Sequence, residues 1–183
     1  QTTVPGLYAI GEANFSDHGG NRLGASALMQ GLADGYFILP VTIGDYLSKK
    51  FAEPKTDINR PEFVEAEKAV QKRIDNLFAV KGTVPVDVLH KELGHIMWEY
   101  VGMARDAEGL KKAIKEIDEL KERFYKTVRV PGTQFEFNQE LEKALRLEDF
   151  FEIGKLMARD AYERNESCGG HFRVESQTEE GEA

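Results

Sequence analysis

The chain has 183 residues, 41% of them hydrophobic, which is enough for one sizeable domain or one and a half small ones with a core. Its 24 basic and 32 acidic side chains leave a net charge of -8, which argues against a phosphate backbone, and so against nucleic acid, as the main partner. The single cysteine, Cys168, excludes an internal disulfide and a multi-thiolate metal site and suits a reducing compartment.

In chain order, Leu7-Tyr8-Ala9-Ile10 follows the turn pair Pro5-Gly6 and reads as a short buried strand. Residues Gly11 to Ala25 hold four glycines among Glu12, Asn14, Asp17, His18, Asn21 and Arg22, too polar and glycine-rich for a regular element. From Ala25, the positions Leu28, Met29, Leu32, Ala33, Tyr36 and Phe37 recur at helical spacing, with Pro40 kinking that helix or starting a second one. The stretch from Leu28 to Ile43 is interrupted by Gln30, Asp34 and Pro40 and falls short of the roughly 20 apolar residues that span a bilayer, so no direct membrane insertion is expected.

After a polar linker from Glu53 to Arg60 the pattern is helical almost throughout. Pro61 suits a first helical position, and Phe63, Ala66, Val70, Ile74 and Leu77 form one stripe ended by Gly82. Val86, Leu89, Leu93, Ile96, Met97 and Tyr100 form a second, and Leu110, Ile114, Ile117, Leu120 and Phe124 a third. A last helical region from Asn138 to Arg164 carries Leu141, Leu145, Phe150, Leu156 and Met157, with a break expected near Leu147. The expected fold is therefore mainly α: a strand, glycine-rich loop and helix over residues 1-52, an antiparallel helical bundle over 58-165, and a truncated loop over 166-183. Gln1 follows no initiator methionine and the acidic end from Glu175 has little to anchor it, so the chain reads as a piece of a longer protein.

His90 and His95 lie five residues apart, which on a helix places the imidazoles about 140° from each other, whereas a metal pair needs a spacing of four. They read as structural or surface groups, and no metal site is expected. The lysines and glutamates between residues 108 and 123 read as a solvated helix face. Cys168 and His171 have no third orienting group in sequence, so nucleophilic catalysis is not expected there.

The loop from Gly11 to Leu28 combines what is needed to hold a flavin and a small diacid. Arg22 presents a planar fork of donors that matches a carboxylate, and Glu12 can accept from sugar-like hydroxyls. The helix start at Ala25 to Leu28 offers backbone N-H groups to negative charge. The competing reading is that Arg22 and Glu12 simply pair with each other or with loop carbonyls.

The run Pro5-Gly6-Leu7-Tyr8-Ala9-Ile10-Gly11-Glu12, then His18-Gly19-Gly20-Asn21-Arg22-Leu23-Gly24-Ala25-Ser26-Ala27-Leu28, resembles the last flavin-binding segment of succinate dehydrogenase and fumarate reductase flavoproteins. The resemblance continues through the helices into Glu166-Ser167-Cys168-Gly169-Gly170-His171-Phe172-Arg173, similar to the family's Glu-Ser-Arg-Gly-x-His-x-Arg run, with Cys168 in place of its arginine. L-aspartate oxidases and adenylylsulfate reductases share the outline.

The resemblance implies that Glu12 contacts the flavin ribityl, that Arg22 binds a carboxylate of succinate or fumarate, and that Ala27 and Leu28 offer backbone N-H groups to the flavin ring. His18 would shape the same pocket. Ala27 stands where many relatives have serine, so only its backbone contact carries over. It further implies FAD in the full-length parent, an iron-sulfur subunit that accepts electrons, membrane anchor subunits that pass them to quinone, and a cytoplasmic place on the inner face of the cell membrane. No dinucleotide glycine fingerprint follows a strand, and the family's flavin-attaching histidine and proton-shuttling arginine lie upstream of Gln1. The piece alone is expected to lack FAD, catalytic residues and activity. L-aspartate oxidase, another fumarate reductase-type flavoprotein, and an independent helical interaction module are the alternatives.

Overall fold

The computed structural model describes residues 2-14, 18 and 22-178. Leu7 to Ile10 take no regular secondary structure, with Ile10 extended at φ -135° and ψ 164°. No described residue pairs with them in a sheet, and Leu7 and Ile10 are exposed. The short buried strand expected there is thus an open extended segment, because strand structure needs a neighbour to take up its N-H and C=O groups. A single 3-10 turn, Gly11-Ala13, comes next. Residues 15-17 and 19-21 of the glycine-rich loop, and 179-183 of the acidic end, lie outside the described residues.

Helix α1 (Ser26-Ala33) runs through a wide π turn, Asp34-Ile38, into α2 (Leu39-Lys50). Pro40 accounts for the wide turn. It has no N-H to give the preceding turn and its ring would press on the carbonyl four residues back, so the chain widens and Pro40 sits in the first turn of α2.

Two compact units result, Gln1-Asp57 with Cys168-Gly170, and Ile58-Ser167 with His171-Ala183. The second unit is built on α3 (Pro61-Ala79), α4 (Val86-Val101), α5 (Ala107-Thr127) and α6 (Gln139-Glu163). Asp106 caps α5 by accepting from Gly109 N at 2.8 Å, and Asn138 caps α6 by accepting from Leu141 N at 3.0 Å. Leu110, Ala113, Ile117, Leu120 and Phe124 put a continuous apolar face on α5, all of it buried. The opposite face carries Lys112-Glu116 and Lys115-Glu119 pairs one turn apart.

Phe124 meets Phe151 edge to face at 5.5 Å, and Asp118 pairs with Lys155 at 2.7 Å, so α5 and α6 run antiparallel. The strands β1 (Val84-Pro85) and β2 (Val128-Arg129) pair in parallel, Val84 opposite Val128, and tie the start of α4 to the end of α5. Gly82 sits under this pair so tightly that a Cβ would fall 1.9 Å from the Thr127 carbonyl oxygen. The expected end of the α3 stripe at Gly82 moves accordingly: α3 stops at Ala79, and Gly82 belongs to the strand contact.

Two further expectations change. Helix α6 is unbroken, and Leu147, where the break was expected, is buried in the core. Leu156 and Met157 face solvent, while Gly154, Ala158 and Ala161 face inward. Small residues win there because the helices approach closely; a Cβ on Gly154 would lie 3.1 Å from Met97 Sδ. Helix α3 buries only Leu77 fully, with Ile74 and Phe78 partly covered, and leaves Phe63 and Val70 exposed. Beside Leu77 in the core, α3 also holds α6 through polar contacts of Arg73, which pairs with the buried Glu148 and donates to Leu145 O at 3.0 Å and Asp149 Oδ1 at 2.8 Å.

Residues after α6 fold back over its end. The buried Arg173 donates through Nη1 to the carbonyls of Ala161, Tyr162 and Arg164 at 2.9 to 3.1 Å, satisfying acceptors that a helix C-terminus leaves open. Arg105, in the turn between α4 and α5, donates its N-H to Phe172 O and accepts from Val174 N. Glu175 accepts from Ala107 N at the start of α5. On α4, Trp98 stands 81% exposed beside His95, in a shallow groove with His90 and Gly94.

Candidate functional site

Positions 27, 28, 31 and 32 fall on one face of α1 by helical periodicity, and in the structure all four line a single open groove of about 550 Å³. Glu12, from the 3-10 turn, and Arg22, just ahead of α1, line the same groove with Gly11. The groove therefore gathers Glu12, Arg22, Ala27 and Leu28, four of the five residues singled out from sequence. The fifth, His18, has its Nδ1 3.5 Å from Ser26 Oγ at the start of α1 and does not line the groove.

Two side chains that sequence reasoning did not single out fix this geometry. Asp34 accepts from Gly11 N at 2.9 Å, and Gln30 Nε2 donates to Asn14 O at 3.0 Å, tying the turn that bears Glu12 to the helix that bears Ala27. Their spacing of 23 and 16 residues from their partners leaves no local signal. Gly31 and Leu32 were also missed as lining residues, although their place one turn beyond Ala27 and Leu28 would have found them.

Arg22 Nε stands 3.7 Å from Glu12 Oε1, with both side chains largely exposed. This is the pairing that the competing reading expected. At that distance it is an ion pair rather than a hydrogen bond, and an exposed pair is worth less than about 1 kcal/mol, so a ligand carboxylate can displace Glu12 from the guanidinium. The N-H groups of Ala27 and Leu28 belong to the first turn, ahead of the Met29 N to Ala25 O bond that begins the helical ladder. They lie at the positive end of the helix dipole. Leu28 is exposed and a Cβ on Gly31 would meet nothing within 4 Å, so there is room for a flat ring against α1.

A separate hollow of about 500 Å³ lies between residues 8-14 and 34-45. Its two carboxylates are engaged, Asp34 by Gly11 N and Asp45 by Lys49 at 2.7 Å. Elsewhere, His90 stacks on Phe150 at 5.3 Å, and among the described residues no three His, Cys, Asp or Glu side chains gather as a metal site. Cys168 is exposed as a free thiol. No described helix is long and apolar enough to cross a membrane.

The chain is similar in sequence and fold to known flavoproteins. The family described as fumarate reductase flavoprotein C-term matches residues 90-183. An uncharacterised FAD-dependent oxidoreductase of Methanocaldococcus jannaschii is 34% identical over 173 residues, 94% of this chain and 29% of that protein. The succinate dehydrogenase flavoprotein subunit of Bacillus subtilis is 32% identical, over 94% of this chain and 29% of its own length. Among solved structures, a chain of the Mycobacterium smegmatis Sdh1 complex with UQ1 superposes with a TM-score of 0.80 at 28% identity, covering 96% of this chain and 28% of that one. A quinol-fumarate reductase with menaquinol molecules gives 0.76 at 26% identity, covering 98% and 31%. The chain thus spans under a third of the length of the relatives it matches.

Proposed function

The chain belongs to the succinate dehydrogenase and fumarate reductase flavoprotein family, and from that premise we propose that it supplies part of the flavin and dicarboxylate site of a parent enzyme interconverting succinate and fumarate. The observation that carries this reading is that Arg22, Glu12 and the first turn of α1 line one groove. In the proposal, residues 1-52 close the FAD-binding domain, 58-165 form its helical companion, and 166-183 form a C-terminal loop.

The roles follow from chemistry. Arg22 holds a substrate carboxylate through its planar fork and so aligns the reacting carbon. Glu12 accepts from ribityl hydroxyls, and the Ala27 and Leu28 N-H groups stabilise negative charge on the flavin ring. His18 supports the start of α1 beside Ser26. Bound FAD would supply the hydride acceptor for succinate oxidation. The groove fits such a group, since its floor at Gly31 is open and its donors and acceptors face one space.

Electrons would pass to an iron-sulfur subunit and then to quinone through membrane anchor subunits at the inner face of the cell membrane. This is supported by the solved relatives, which were determined with UQ1 and with menaquinol. The test is dye reduction by the full-length protein with succinate, run beside oxidation of L-aspartate. Activity with succinate and none with L-aspartate is expected; the reverse would replace the reading with an amino-acid oxidase.

A further inference from the structure

We propose that Asp34, with Gln30 beside it, is a positioning residue for the flavin, holding the turn that bears Glu12 in register with the first turn of α1. The inference rests on the flavin reading of the groove and assigns the side chains that keep its two kinds of contact in step. Helical periodicity puts positions 30 and 34 one turn apart, on a strip of α1 next to the one that carries 27, 28, 31 and 32. In the structure the two strips differ in what they meet. Residues 27, 28, 31 and 32 line the groove. Asp34 and Gln30 reach the backbone at the two ends of the Glu12 turn, Asp34 Oδ2 accepting from Gly11 N at 2.9 Å and Gln30 Nε2 donating to Asn14 O at 3.0 Å.

The turn needs that hold. Gly11-Ala13 is three residues long, closed by Asn14 N donating to Gly11 O at 3.0 Å, and helical structure that short is not stable on its own in water. It opens on Gly11 at φ 58°, a backbone state that glycine enters and leaves with little cost. The Glu12 carboxylate is largely exposed, and its 3.7 Å pair with Arg22 is too weak to fix the turn. The direction of Glu12 is therefore set by the backbone on either side of it, and that backbone is tied at both ends to α1.

Neither Asp34 nor Gln30 lines the groove, and Asp34 borders the separate hollow instead. Asp34 thus acts on a ligand in the groove through Gly11 and Glu12, not by touching it. Ribityl hydroxyls bound by Glu12 and a flavin ring set against the Ala27 and Leu28 N-H groups belong to one rigid molecule, so both contacts form together only if the turn and the helix keep their spacing. The Asp34 and Gln30 bonds maintain that spacing.

The experiment is a double-mutant cycle on the flavin-free full-length protein, titrated with FAD and read by quenching of flavin fluorescence, counting only flavin that acid denaturation releases. Glu12→Ala is expected to weaken FAD binding at least about tenfold, and Asp34→Ala by roughly three- to tenfold, within the range that a hydrogen bond to a charged group carries. With Glu12 already replaced, Asp34→Ala should add less than about twofold, because its effect passes through Glu12. Asp34→Asn, whose side-chain oxygen can still accept from Gly11 N, should bind FAD within about twofold of the native protein. No loss in Asp34→Ala, losses that simply add, or Asp34→Asn no better than Asp34→Ala overturns the positioning role while leaving Glu12 on the flavin. Unchanged affinity in Glu12→Ala instead removes Glu12 from the flavin, and the inference falls with that reading. If Asp34→Ala does not fold, Gln30→Ala takes its place in the cycle and is judged by the same additivity.

Discussion

Ser167 and Arg173 are joined by two reciprocal hydrogen bonds, Arg173 N donating to Ser167 Oγ at 2.9 Å and Ser167 Oγ donating to Arg173 O at 3.0 Å. The pair turns the chain so that the Arg173 side chain can enter the end of α6, where it is 3% exposed.

Replacing Arg173 by Ala should leave three carbonyls at that helix end without their charged donor. Hydrogen bonds to charged groups are worth about 1.5 to 3 kcal/mol, and a loss of at least that size is expected. Urea unfolding followed by circular dichroism measures it. A change below about 0.5 kcal/mol would show that water replaces the arginine without cost.

The Arg73 and Glu148 contact sets a second test. Removing Arg73 strands a carboxylate that is only 6% exposed, and breaking a buried pair costs about 3 to 5 kcal/mol. Arg73 itself is 41% exposed, so solvent screening should reduce the loss to roughly 1 to 3 kcal/mol for Arg73→Ala. Changing both residues to apolar ones of similar volume should recover most of it. If the double variant is less stable than Arg73→Ala, the pair is not the source of the loss.

Glu175 should give the segment that follows α6 an acid limit. The N-H of Ala107, then its own backbone N-H and Arg173, hold its carboxyl below the usual carboxylate range. Its contribution is therefore complete above the unfolded value near 4.5 and is lost as pH falls through the depressed native one. Glu175→Gln should be less stable than the native protein at neutral pH, and the two should converge as pH falls through the depressed native value. A difference in urea midpoint that persists unchanged at low pH would contradict this.

Gly82→Ala should cost at least about 2 kcal/mol, because the new methyl would meet backbone at 1.9 Å and only separation of β1 from β2 makes room. Gly154→Ala should cost less, since the neighbour at 3.1 Å is the flexible end of Met97. Thermal midpoints of the two variants test the order.

Arg22→Lys in the full-length protein should leave FAD content nearly unchanged and greatly reduce turnover. Lysine keeps the charge but loses the planar fork, and misplacing a reacting carbon by about 1 Å can cost on the order of 100-fold in rate. FAD per subunit by absorbance and succinate-dependent dye reduction measure the two effects. Near-normal activity would remove Arg22 as the carboxylate clamp, and loss of FAD would assign it to the cofactor.

Helical periodicity made α4 and α5 legible, since Leu89, Leu93, Ile117 and Phe124 are large and repeat at the right spacing. It misread α6 because the inward face passes from Leu147 and Phe151 to Gly154, Ala158 and Ala161, and small residues carry no apolar signal. The β1-β2 pair joins segments 44 residues apart through two residues each, too short for any alternation to appear. At the candidate site, Glu12 and Arg22 were legible through their chemistry and the family resemblance. Asp34 and Gln30 were not, because an aspartate and a glutamine on a helix look the same whether they meet solvent or a distant backbone group.

Trp98 is the chain's one tryptophan, and α4 presents it to water rather than to the core. Its emission should already be red-shifted in the native state and change little when the helices melt. The same exposure makes it a sensitive reporter of anything that covers this face of α4, since a docking surface would move the indole from water into an apolar setting. Fluorescence from this chain is thus a signal of association, whereas its folding is read from the helices by circular dichroism.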